Sequence, residues 1–116
     1  MNSAEFRKEL EKVMPGYTWT IHKSGNPEVY LSATGIQSSG FNRLSTLMIE
    51  RREKPLEIAV YEVKSAGFGK KAKWLARAEG ETLARALRSL QSHCEGVAQT
   101  YGSHARYLQE ARAKKA

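Results

Sequence analysis

The hydrophobic period of this chain changes twice, and those changes constrain its fold more than any single residue does. In the first segment Phe6, Leu10 and Val13 or Met14 recur at helical spacing, with Arg7, Lys8, Glu9, Glu11 and Lys12 between them. Asn2 is placed to cap this helix with Glu5 three residues on, and Pro15-Gly16 ends it. From Tyr17 the period drops to two. Tyr17, Trp19 and Ile21 alternate with Thr18, Thr20 and His22, and Val29, Leu31 and Ala33 with Tyr30, Ser32 and Thr34. Leu44 to Arg52 reads as a third strand, and Leu56, Ile58 and Val60 alternate with Glu57, Ala59 and Tyr61 in a fourth. A fifth run, Lys71 to Ala78, puts Trp74, Ala76 and Ala78 on one face.

From Glu81-Thr82 the period lengthens again. Leu83, Leu87, Leu90, Cys94, Val97, Tyr101, His104 and Leu108 form a heptad-like seam, with Gly96 and Gly102 inside it predicting a kink or break near Gly102. These patterns predict an α+β fold: a short N-terminal helix, a four- or five-stranded antiparallel meander and a long C-terminal helix packed on the sheet. The 116 residues suffice for a single domain spanning 1–116, with a basic tail over 111–116 that is expected to fray. Packing on its own sheet is the expected use of the first half of the seam, where Cys94 reads as a small core residue. Beyond Val97 the helix overruns the sheet, and a homodimer through the C-terminal helix becomes the expectation.

Charge divides the chain. Residues 1–64 carry 9 Lys+Arg and 8 Glu, a net of +1, whereas residues 65–116 carry 10 Lys+Arg and 4 Glu, a net of +6. A basic half of this kind suits nucleic acid first, an acidic protein second and an anionic membrane third. All 12 acidic residues are glutamate, which lowers the expectation of the many hydrolytic and phosphoryl-transfer sites built on aspartate. One cysteine excludes an internal disulfide and fits a cytoplasmic protein, and neither a secretory leader nor a membrane span is legible.

The stretch Gly67-Phe68-Gly69-Lys70-Lys71-Ala72-Lys73-Trp74 gathers three lysines and two aromatics around glycines. Cations for phosphates and π faces for bases are what nucleic acid uses. By its phase with Ala76 and Ala78, Trp74 is assigned to the core, which leaves Phe68, Lys70, Lys71 and Lys73 as the binding residues. Arg77, Arg85 and Arg88 extend the patch along the start of the last helix, with an i,i+4 pair between Glu81 and Arg85 as the competing use. The segment Gly35 to Arg43 reads as a secondary binding loop, carrying Phe41, Asn42 and Arg43. No histidine pair or cysteine pair has metal-site spacing, and no phosphate-binding or nucleophile motif is present. The chain is therefore expected to be non-enzymatic, without metal or cofactor.

The order helix, antiparallel strands, helix, with Gly69-Lys70-Lys71-Ala72-Lys73 shortly before the last helix, resembles the double-stranded RNA-binding domain. In that family the lysines open the second helix directly, whereas here Trp74 to Gly80 and Thr82 intervene, so this likeness is one of composition and is not favoured. The run from Trp74 through Gly80 to Leu87 resembles small accessory proteins of bacteriophages and prophages. That resemblance implies either a nucleic-acid binder or an inhibitor docking on a host protein. The sequence thus leads to a non-enzymatic protein binding DNA or RNA, with an acidic host protein as the alternative partner.

Overall fold

Asn2 begins the first helix with its own side chain: its Oδ1 accepts the Glu5 N–H at 2.8 Å. The computed structural model describes residues 1–39, 42–66 and 74–113, the side chains of Asn42 and Arg43 excepted. Helix α1 spans Ser3–Val13 and buries Phe6 and Leu10. The Met14 N–H closes it on the Leu10 carbonyl at 2.8 Å, before Pro15-Gly16 turns the chain. Two polar contacts then fix α1 to the sheet. Trp19 Nε1 donates to the Met14 carbonyl at 3.2 Å, and Arg7 Nη1 donates to the Trp19 carbonyl at 3.1 Å.

Five strands follow: β1 Thr18–Ile21, β2 Tyr30–Ser39, β3 Asn42–Arg52, β4 Val60–Ala66 and β5 Trp74–Gly80. They pair in sequence order, each antiparallel to the next, as a meander. Helix α2, Leu83–Ala113, packs its start on β4 and β5. Thr82 caps it: its Oγ1 accepts the otherwise orphaned Arg85 N–H at 3.2 Å, and its carbonyl accepts the first helical bond, from the Ala86 N–H, at 3.0 Å. Gly80 permits the tight entry, since a Cβ there would lie 2.8 Å from the Ala86 nitrogen.

The core lies on one face of the sheet. Trp19, Leu31, Ala33, Leu47, Ile49, Tyr61 and Val63 meet Phe6 and Leu10 of α1 and Leu83, Ala86 and Leu90 of α2. All seven strand residues carry odd numbers, the direct result of period-two alternation in register. Among the described residues no helix covers the opposite face, which takes the even-numbered residues of β2, β3 and β4 and, by register, Arg77 and Glu79 of β5.

Several expectations need correction. The stretch 35–39 is strand and not a loop, because Gly35 pairs with Trp19 and lets the indole lie against its backbone. A Cβ at Gly35 would fall 2.6 Å from the Trp19 ring. The fourth strand is Val60–Ala66; Arg52 pairs with Val60, so residues 53–59 form the connection. Leu56 there has φ 63° and is fully exposed, and Ile58 is also exposed, so the apparent alternation ran across a turn. Helix α2 is continuous through Gly96 and Gly102, with no break, and it remains helical to Ala113. Its i,i+4 backbone bonds carry it past both glycines, whose cost is one of propensity only.

Candidate nucleic-acid interface

Strand register sets the composition of the uncovered face. One cross-strand row runs Ile36, Thr46, Ala66, Trp74; the next runs Thr34, Met48, Lys64, Arg77; a third runs Ser32, Glu50, Glu62, Glu79. Thr18 and Thr20 extend the first two rows on β1. The rows therefore pass from an aromatic edge, through cations, to carboxylates.

Trp74 is where the structure departs most from the sequence reading. A register shift between Ser65 and Ala66 inserts Leu75 as an extra residue, so Ala76 pairs with Ser65 while Trp74 pairs with Ala66. A one-residue slip reverses the face of every side chain beyond it. Ala76 and Ala78 pack against the core, while Trp74 leaves it and stands 46 % exposed on the opposite face. The assignment of Trp74 to the core is thus overturned.

Glu62 organises the cations beside it. Lys64 Nζ lies 3.3 Å from Glu62 Oε1, Arg77 Nη2 lies 3.6 Å and Arg52 Nη1 3.7 Å from Oε2. Arg52 also pairs with Glu50, and Arg77 with Glu79 at 3.0 Å. Burial pushes the Glu62 carboxyl up, but the Lys64 hydrogen bond and the charges of Arg77, Lys64 and Arg52 outweigh it and hold the group below its ordinary range. Glu62 is buried, whereas the side chains of Arg52 and Arg77 stay more than half exposed. The cluster thus holds guanidinium groups in place while leaving them open to a ligand.

The sequence-predicted residues separate. Arg77 lies on the uncovered face. Arg85 and Arg88 are exposed on the outer side of α2, which covers the other face, so the three do not form one patch. Glu81 and Arg85 form no ion pair; Thr82 takes the capping role. Phe68, Lys70, Lys71 and Lys73, with Phe41, lie outside the described residues, and Asn42 and Arg43 are described as backbone of β3. Topology nevertheless relates the two candidate segments. Thr46 pairs with Ala66 and Ala66 with Trp74, so β2, β3, β4 and β5 place the ends that flank 40–41 and 67–73 at the same end of the sheet.

Arg52 and Lys64 were missed as candidates. The signal for Lys64 was present: Glu62 and Lys64 alternate with Tyr61 and Val63, but ending the fourth strand at Tyr61 hid it. On the covered face Arg51 is buried, with its guanidinium 5.9 Å from the Tyr61 ring centre and 3.0 Å from Glu53. Its Nε and Nη1 have no hydrogen-bond partner. Cys94, expected in the core, is exposed on α2, and among the described residues no His, Cys and Glu group has the geometry of a metal site. Among the same residues no helix is long and apolar enough to cross a membrane. No family model, no curated protein and no solved structure matches this chain.

Proposed function

We propose that the chain is a non-enzymatic nucleic-acid-binding protein that engages a single strand on the uncovered sheet face. The observation that carries this reading is the exposed Trp74 beside Arg77 and Lys64, on the strand that leads out of the Lys70, Lys71 and Lys73 segment. An indole on an open sheet offers a stacking surface to an unpaired base, and fixed cations in the next row take the phosphates. On these strands Arg52, Lys64 and Arg77 are balanced by Glu50, Glu62 and Glu79, and in sequence the three lysines of 67–73 come directly before Trp74.

Single-stranded and duplex DNA and RNA oligonucleotides, titrated at several salt concentrations, test the proposal. Single strands should bind more tightly, with log K falling linearly against log salt. Changing Lys70 and Lys71 to Glu should weaken binding. Absence of binding at low salt, or a salt-insensitive affinity, contradicts the reading. A stoichiometric acidic protein partner that survives nuclease treatment would favour the alternative, which uses the same cations.

A further inference from the structure

In the first two cross-strand rows, the β1, β2 and β3 positions of the uncovered face are Thr18, Thr20, Ile36, Thr34, Thr46 and Met48, none of them charged. Met48 lies at the inner edge of this patch. It pairs with Thr34 of β2 on one side and with Lys64 of β4 on the other, and Thr46 precedes it on the same strand face. Its side chain is partly exposed, as are those of Thr34 and Thr46. A thioether is polarizable and packs favourably against an aromatic ring. Hydroxyls beside it both donate to and accept from a base edge, so they serve any base.

Register also fixes how this patch lies relative to Trp74. Trp74 pairs with Ala66, two residues beyond Lys64 on β4, and Lys64 pairs with both Met48 and Arg77. Trp74 and Met48 are thus two strands and one row apart. At about 4.8 Å per strand and about 3.3 Å per residue, their Cα atoms are separated by roughly 12 Å. Two cations lie between them. Lys64 Nζ is held 3.3 Å from one oxygen of Glu62 and Arg77 Nη2 3.6 Å from the other. An aromatic surface, a pair of cations and an apolar surface therefore follow one another diagonally across β5, β4 and β3.

We infer that Met48 is a second base-contacting residue. One base stacks on Trp74, the phosphates that follow lie on Lys64 and Arg77, and a later base of the same strand rests on Met48 between Thr34 and Thr46. This inference rests on the nucleic-acid reading of the uncovered face and adds to it a second base subsite and a path. The order of surfaces selects the occupant, because a single strand alternates bases with phosphates in the same way. With cations between the two platforms, the bases on them are splayed apart and the strand crosses the sheet unstacked, the form in which single strands are read. The competing use of Met48 is to pack beneath the methylene stem of Lys64, a structural role that needs no ligand.

Two probes of about twelve units, titrated at several salt concentrations, separate these uses. One is single-stranded oligo(dC); the other is a strand of equal length built from abasic deoxyribose-phosphate units, which keeps every phosphate and offers no base. Met48→Ala should weaken oligo(dC) binding about fivefold. It should leave binding of the abasic strand, and the slope of log K against log salt, as in the native chain. Lys64→Ala should instead weaken both probes and lower that slope by about one. Met48→Thr, which matches its neighbours and suits a strand, should act as Met48→Ala does, with circular dichroism unchanged as proof of folding. Native affinity for oligo(dC) in both Met48 variants, or equal weakening on the two probes, overturns the inference and leaves the nucleic-acid reading standing. A native chain that binds neither probe at low salt overturns both.

Discussion

The two faces of one sheet put two tryptophans to opposite uses. Trp19 on β1 is 5 % exposed, lies flat on Gly35 and donates its indole N–H to the end of α1. Trp74 on β5 is 46 % exposed, faces away from both helices and neighbours Arg77 and Lys64. Both residues sit in period-two runs, so local pattern alone gives them the same role. The difference lies in coverage: one face of the sheet meets two amphipathic helices, and the other meets none among the described residues. Burial on the first face supplies stability, and exposure on the second supplies a surface that can bind.

The sharpest way to break this comparison is to remove each tryptophan in turn. Trp19→Ala should cost about 3–5 kcal/mol in denaturant unfolding, the range for a buried aromatic truncated in a packed core. Trp74→Ala should cost less than about 1 kcal/mol, since it leaves no core cavity. Similar losses for the two would mean that the register shift at Ser65 and Ala66 is misplaced.

A second, smaller effect separates the faces by pH. Glu62 sits below its ordinary value of 4.5 because Lys64, Arg77 and Arg52 surround it. Its contribution is therefore complete above about 4.5 and is lost as pH falls through the lowered folded value. Glu62→Gln should flatten the acid limb of the stability profile and cost about 1 kcal/mol at neutral pH. An unchanged acid limb would remove Glu62 from the account.

The smallest effect concerns the arginines. Arg77→Ala should reduce the slope of log K against log salt by about one and weaken binding to single strands. Arg85→Ala and Arg88→Ala, on the far side of the molecule, should change affinity less than about twofold at physiological salt. Equal effects from all three would restore the single basic face that the sequence suggested.

Much of the fold was legible before the structure. Asn2 capping, the Pro15-Gly16 stop and the inward phase of Trp19, Leu31 and Ala33 follow from local pattern and hold, whereas Leu56, Ile58 and Val60 of the fourth run are exposed and Tyr61 and Val63 take the core positions there. What failed depended on pairing. Gly35 and Ser39 look like loop residues until Trp19 is placed opposite Gly35, and Leu56 looks like strand until Arg52 is paired with Val60. Trp74 keeps its sequence phase with Ala76, and only the extra residue Leu75 in the ladder turns it outward. The arginines were grouped by closeness in sequence, whereas the sheet lies between Arg77 and the outer side of α2. Strand register and bulges are properties of pairs of segments, so no single run of residues could have shown them.

Tryptophan fluorescence during titration with a single-stranded oligonucleotide tests the central claim most directly, because the chain has two tryptophans and Trp19 is buried. Stacking on Trp74 predicts quenching that saturates, that weakens with salt and that disappears in Trp74→Ala, whose affinity should fall about tenfold. Binding of undiminished affinity in Trp74→Ala, or saturation without quenching of the native chain, would contradict the claim that the uncovered sheet face is the nucleic-acid interface.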